Sequence, residues 1–245
     1  MEVIAPAAPF AATDPEFATL FDRFAGQEVP AESRLNTPTR LFAVLAALLG
    51  CGGLDTFRAL LPAALAAGVT PVALKELTYQ ATAYVGFGRI PPFLQAVNEA
   101  LAAQGVALPL PPQSTTAPDT RREAGTQAQV DIFGGHMRDF WCSGPAESRH
   151  INRWLAANCF GDYYTRTGLD LPRRELATFC FLTALGGCEP QLTSHAAANL
   201  RLGNGRDMLI DAVSQCLPYI GYPRALNALR CVREAAAQQE KGETT

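Results

Sequence analysis

The sequence predicts an all-α fold built from two similar helical repeats packed together. Three observations carry that expectation. Almost no stretch alternates apolar and polar residues with period two, so strands should be few or absent. Apolar residues recur at helical spacing between glycine stops along most of the chain. The second half also repeats the first at a nearly constant offset.

Residues 1–12 are rich in Ala and Pro and read as an extended arm. Asp14-Pro15-Glu16 starts a helix, with Asp14 as N-cap and Pro15 at the first helical position, where its missing N–H is not needed. Phe17, Leu20, Phe21 and Phe24 form its apolar stripe, and Gly26 ends it. Four helices follow at 38–50, 54–67, 70–84 and 88–103, with Gly52-Gly53, Gly68 and Gly86 between them. Residues 104–120 are dense in Pro, Ser and Thr and read as a linker or surface crossing. Beyond it the spacing predicts helices from Arg121 to Trp141 and from Ala146 to Phe160. The next starts near Pro172 and ends at Gly186-Gly187, and another runs from Glu189 to Gly203. Helices at 206–217 and from Pro223 to Gln239 complete the chain, before a frayed EKGETT tail.

The repeat is visible residue by residue. Pro38 and Arg40 match Pro172 and Arg174 at a separation of 134. Leu65, Gly68, Leu74, Gln80, Tyr84, Gly86 and Arg89 match Leu200, Gly203, Leu209, Gln215, Tyr219, Gly221 and Arg224 at 135, so one residue is added near Gly186-Gly187. One repeat alone would leave an apolar helix face open, and packing the two together buries it. The domains are therefore an N-terminal arm and helix (1–34), a first repeat (35–103), a linker (104–120) and a second repeat (121–240).

Composition narrows the function. With 48% hydrophobic and 18% charged residues, the chain reads as soluble and globular. A net charge of −3 supplies no general field for nucleic acid or an acidic membrane. No apolar run is long enough to span a bilayer, and the first residues lack the basic flank of a secretory signal, so the expected location is cytoplasmic. The seven cysteines should then be reduced, and none stands in CxxC or zinc-ligand spacing.

The densest chemistry lies between Gly161 and Gly203. On the second helix of that stretch, Cys188, Gln191, Leu192, His195 and Asn199 share a face. Cys188 and His195 are two turns apart, roughly 10 Å along the axis, too far for a direct thiolate–imidazole pair. Glu175 lies on the preceding antiparallel helix, from which it can reach His195 as an acid–base pair. Near a helix N-terminus, however, a glutamate is also favoured by the dipole alone, and Arg173 fits a surface ion pair. The first repeat puts Leu41 where Glu175 stands and Leu60 where His195 stands, so only one such site is expected per chain.

Several segments together resemble the carboxymuconolactone decarboxylase family of the alkylhydroperoxidase D-like superfamily. They are GDYYTRTGLDLPRREL, then QLTSHAAANLRLGN, then the ending from Gln215 to Arg224, with Arg122 and the GGH at Gly134–His136 upstream. The resemblance covers about 121–230 well, and 35–101 as a weaker copy. It implies an all-helical homo-oligomer, most simply a trimer that imitates the hexamer of single-repeat relatives. In thiol-reducing relatives a glutamate, a CxxC pair and a histidine form the site. Glu175, Cys188 and His195 match that set, but Gln191 replaces the second cysteine, which removes a dithiol cycle here. The decarboxylase branch lacks the CxxC and keeps an arginine and a histidine, Arg166 and His195 in this chain.

The implied activity is a cofactor-free lyase acting on a small carboxylated lactone, in aromatic catabolism, with no metal or organic cofactor because the substrate is its own electron sink. His195 would donate the proton and Glu175 orient it, with Cys188 beside them. Arg166, Arg174, His136 and Gln191 would hold the substrate. The alternatives are a thiol-dependent antioxidant protein and a non-catalytic oligomeric binding protein.

Overall fold

The computed structural model describes residues 7–243, with side chains as far as residue 240. The expected arm and tail therefore lie partly outside the described residues, and the described part of the arm is not extended but coiled into a 3-10 turn at Ala8–Phe10. Every regular element among those described is helical. Helix α1 (Pro15–Arg23) runs through a π-helical stretch, Phe24–Glu28, into the short α2 (Val29–Ala31). Then come α3 (Thr37–Cys51), α4 (Leu54–Ala66), α5 (Pro71–Val85) and α6 (Ile90–Ala103). After the crossing lie α7 (Arg121–Phe133) and α8 (Arg149–Trp154), the latter continuing as a π-helix, Leu155–Tyr164. The second set is α9 (Leu171–Leu185), α10 (Glu189–Arg201), α11 (Arg206–Ile220) and α12 (Tyr222–Glu243).

Caps explain several starts. Thr70 Oγ1 accepts from the Ala73 N–H, and Asp170 Oδ1 from the Arg173 N–H, each ahead of a proline in the first turn. Several boundaries differ from the sequence reading, among them the helix expected at 206–217, which runs on to Ile220. The helix expected to reach Trp141 stops at Phe133, because Gly134 takes φ 112° and ψ 172°. Gly26 is no stop: it is buried inside the π-helical stretch and the chain stays helical to Ala31. The final helix continues to Glu243, past the expected end at Gln239.

The two repeats meet through equivalent helices. Central α3 and α9 cross directly, while α5 of the first repeat packs on α9 and α11 of the second packs on α3. That reciprocity is what an approximate two-fold requires. From Leu41 to Leu49 no residue of α3 is more than 6% exposed, so the helix is apolar all round, as a central helix must be. Each fully buried large side chain there is worth roughly 1.5–3 kcal/mol of transfer free energy. The crossing is close because Gly50 has no Cβ; one added there would stand 2.5 Å from the Phe181 carbonyl oxygen.

Helix α7 lies against the π-helix 155–164 by the same device. A Cβ on Gly125 would come within 1.9 Å of the Ala156 carbonyl oxygen, and one on Gly161 within 2.0 Å of that of Arg121. The crossing 104–120 has no regular structure but is tied to the segment before α9. Thr115 and Thr116 hydroxyls donate to the carbonyls of Thr165 (2.8 Å) and Gly161 (3.1 Å). The Thr167 N–H donates to the Gln113 carbonyl at 3.0 Å. Among the described residues no helix is long and apolar enough to cross a membrane.

Candidate active site

Helices α9 and α10 run antiparallel, and their facing sides bring Glu175 and His195 together. His195 Nδ1 lies 2.7 Å from Glu175 Oε2. The glutamate is fully buried, while the imidazole keeps 10% of its side-chain surface. The Tyr164 hydroxyl donates to the other carboxylate oxygen at 2.8 Å. An ionised carboxylate only accepts, so Nδ1 carries a proton and Nε2 is the free ring atom. No hydrogen bond reaches Nε2 among the described residues.

Behind Glu175 stands a buried polar chain drawn from both repeats. Tyr84 of α5 has its hydroxyl 2.7 Å from that of Tyr164, and the Cys159 thiol points at the Tyr84 oxygen from 3.7 Å. Thr178 lies 2.6 Å from the Tyr164 oxygen and accepts from Gln80 Nε2 at 2.8 Å. Burial, and secondarily the Glu175 charge, hold Tyr164 well above the ordinary phenol range. Burial pushes the Cys159 thiol up to about 12. These groups therefore stay protonated and serve as donors aimed towards Glu175. Asn199, one turn beyond His195, donates to the carbonyls of Glu175 (2.9 Å) and His195 (2.8 Å), which fixes the α9–α10 register at the pair. Tyr84 and Phe133 flank the imidazole in T-shaped contacts, with ring centroids 5.7 and 5.2 Å away.

Phe133 is also a wall of an open groove of about 480 Å³, lined by His136, Ser194, Arg201 and Glu234 among others. Phe133 thus borders both the groove and the histidine. Arg201 is held there by its Nε, which donates to the Ile132 carbonyl at 3.3 Å.

The other expected site residues separate. His136 lines the groove and is exposed. Gln191 is exposed and lines none of the cavities described here, whereas Leu192, His195 and Asn199 face inward. The shared helix face is real for those three and too wide to include Gln191. Cys188 caps α10 beside a small recess that does not include His195. Its thiol faces the Leu182 carbonyl oxygen at 3.5 Å. Burial, then the charge of Glu189, pushes that thiol up, away from the reactive range.

Arg166 and Arg174 do not meet His195 either. Both lie on Glu76 of α5: Arg166 Nε donates to both carboxylate oxygens and Arg174 Nη2 to one, all at 2.9 Å. In the first repeat Leu41 and Leu60 are buried core residues, so no second acid–base pair forms there. The described residues contain no cluster of His, Cys, Asp and Glu that could hold a metal.

Sequence reasoning missed Tyr84, Tyr164, Phe133, Arg201 and Glu76. Tyr84 and Tyr164 were in view, one inside the repeat block and one inside GDYYTR, but their meeting depends on how α5 lies across α9.

The model of the carboxymuconolactone decarboxylase family matches the chain twice, over residues 15–99 and 150–234. The chain belongs to this family. Each match begins one helix ahead of a four-helix set, at α1 and at α8. Among solved structures, a Burkholderia xenovorans LB400 protein provisionally named a gamma-carboxymuconolactone decarboxylase subunit aligns over 96% of this chain and 91% of its own. It is 19% identical with a TM-score of 0.55, a likeness of fold. No curated protein matches the chain. The second repeat of this chain holds the Glu175–His195 pair, and the first has Leu41 and Leu60 at the equivalent places.

Proposed function

We propose that the chain is a cofactor-free carboxy-lyase of the carboxymuconolactone decarboxylase type, acting on a small carboxylated lactone or a related acid. The observation that carries the reading is the 2.7 Å pair between His195 and a fully buried glutamate, with Nε2 left open. Such an imidazole exchanges its second proton at Nε2, and Glu175 stabilises the charged form. In the reaction, the bond to the leaving carboxylate breaks and its electron pair enters the ring double bond conjugated with the lactone carbonyl. Carbon dioxide departs, and the extended enolate takes a proton from Nε2 onto ring carbon. Solvent then reprotonates the imidazole.

The groove that shares Phe133 with the histidine would seat the acid, with Arg201 as its cation and His136 as a second hydrogen-bonding group. Turnover of a panel of unsaturated lactone acids, read as carbon dioxide release, tests the proposal. Release from at least one of them, without added thiol or metal, is the expected result. No release from any, with rapid peroxide reduction driven by a fast-reacting Cys188, would move the protein to the thiol class.

We also propose a homo-oligomer, a trimer as the simplest form. Phe17 and Leu20 on α1 are 57% and 50% exposed, and Trp154 and Leu155 at the equivalent place in the second repeat are 55% and 36% exposed. Leu226 on α12 is 59% exposed. Matching apolar patches on both repeats suit contact with further copies of the chain. Light scattering at micromolar concentration should give three times the 26.2 kDa chain mass, and a monomer mass would refute it.

A further inference from the structure

A second cavity, of about 400 Å³, has Glu76 in its wall and includes neither Glu175 nor His195. Its polar lining is Lys75, Glu76, Asn98, Gln113 and Arg166, and its apolar walls are Leu108 and the prolines that follow, with the Tyr79 ring. Lys75 is only 8% exposed. Its ammonium bonds to Asn98 Oδ1 and has no carboxylate partner among the described residues. Burial alone pulls that ammonium below its ordinary range, and no neighbouring charge raises it. The one acid in the lining, Glu76, is already engaged by Arg166 and by the buried Arg174. Arg166 uses only its Nε on Glu76, and its guanidinium lies 5.4 Å from the Tyr79 ring centroid. Among the described residues its Nη groups and Asn98 Nδ2 make no hydrogen bond to protein.

The cavity therefore has an excess of positive charge and donors without acceptors, and burying a cation without a counter-charge is costly. The fold does not require this. At the places equivalent to Lys75, Tyr79 and Asn98 the second repeat carries Ile210, Ser214 and Arg233, and it builds the same helices. The protein answers the Lys75 ammonium with the Tyr79 ring, 6.0 Å from it, and with no carboxylate among the described residues.

We propose that this cavity is a binding site for a small organic carboxylate, whose oxygens lie between Lys75 and Arg166 and whose carbon body lies against Leu108 and the proline wall. Carboxylate bonds to ammonium and guanidinium groups are among the stronger hydrogen bonds available to a protein. The apolar walls have no part in holding an inorganic ion. They belong to the crossing 104–120, so an occupied site also fastens that crossing to α5.

Calorimetric titration with benzoate, acetate and inorganic phosphate, on the full chain, tests this. Benzoate should bind the unaltered protein, and acetate roughly tenfold or more weaker because it lacks the body. Lys75→Met, similar in length and without charge, should weaken benzoate by roughly tenfold or more. Arg201→Gln, which removes the cation of the groove beside Phe133, should leave it unchanged, and that separates the two sites. Should Lys75→Met fail to fold, Asn98→Leu supplies the same comparison. Equal benzoate binding by the unaltered and Lys75→Met proteins would overturn the proposal, and so would binding of phosphate alone.

Discussion

His195→Gln should lower turnover on a lactone acid by roughly 100- to 10,000-fold, the usual worth of a positioned general acid, and leave the protein folded. Glutamine is the informative replacement. Alanine would strand the fully buried Glu175 carboxylate with Tyr164 as its one remaining side-chain donor, so lost activity could be lost structure. A glutamine amide can still donate to Glu175 Oε2 but cannot carry a proton to carbon. Glu175→Gln should lie in the same range, because it keeps a hydrogen bond at Nδ1 and removes the charge that stabilises the imidazolium. Cys188→Ser should be nearly silent, since its thiol faces the Leu182 carbonyl and no step uses it. The measurement is initial rate on one substrate, with a thermal melt of each variant beside it. Full activity in His195→Gln, or a dead Cys188→Ser with an intact melt, would remove the assignment of the chemistry to the dyad.

Why this pair could be read from sequence while the rest of the site could not follows from where the information sits. Glu175 and His195 lie on consecutive antiparallel helices joined by a short glycine turn, and helical spacing alone restricts which residues can meet there. The repeat offset did comparable work for the fold. It identified Leu41 and Leu60 as the places of a missing site, and both are buried core. Arg166 and Arg174 show the limit. Spacing placed them near Glu175, but their partner Glu76 is ninety or more residues away on a helix of the other repeat. Nothing local says that α5 crosses α9 at that level. Tyr84 escaped for the same reason, since its hydroxyl meets Tyr164 across eighty residues of chain. The boundary errors were of another kind: whether Gly26 and Gly134 end a helix depends on the backbone each adopts, and only Gly134 takes a positive φ.

The same long-range cluster carries the largest expected effect on stability. Arg174 is fully buried and Glu76 1% exposed, so their 2.9 Å contact is not screened by solvent. Arg174 Nη1 donates to Gln80 Oε1 at 2.9 Å, and Nη2 also donates to the Arg166 carbonyl at 2.8 Å. Burial pulls this guanidinium down and Glu76 opposes the shift. Glu76→Ala therefore leaves a buried cation without its counter-charge where the two repeats meet, at a cost of about 3–5 kcal/mol. For a chain of this size that lowers the melting temperature on the order of 10 °C. The cost comes from the stranded charge more than from the lost bond, and a double replacement separates the two. Glu76→Leu with Arg174→Met removes both charges and keeps apolar volume, so it should recover most of what Glu76→Ala loses. Reversible denaturant melts of the three proteins decide it. A Glu76→Ala protein as stable as the parent would mean the pair is not what joins α5 to α9. A double variant no better than the single one would place the loss in packing and not in charge.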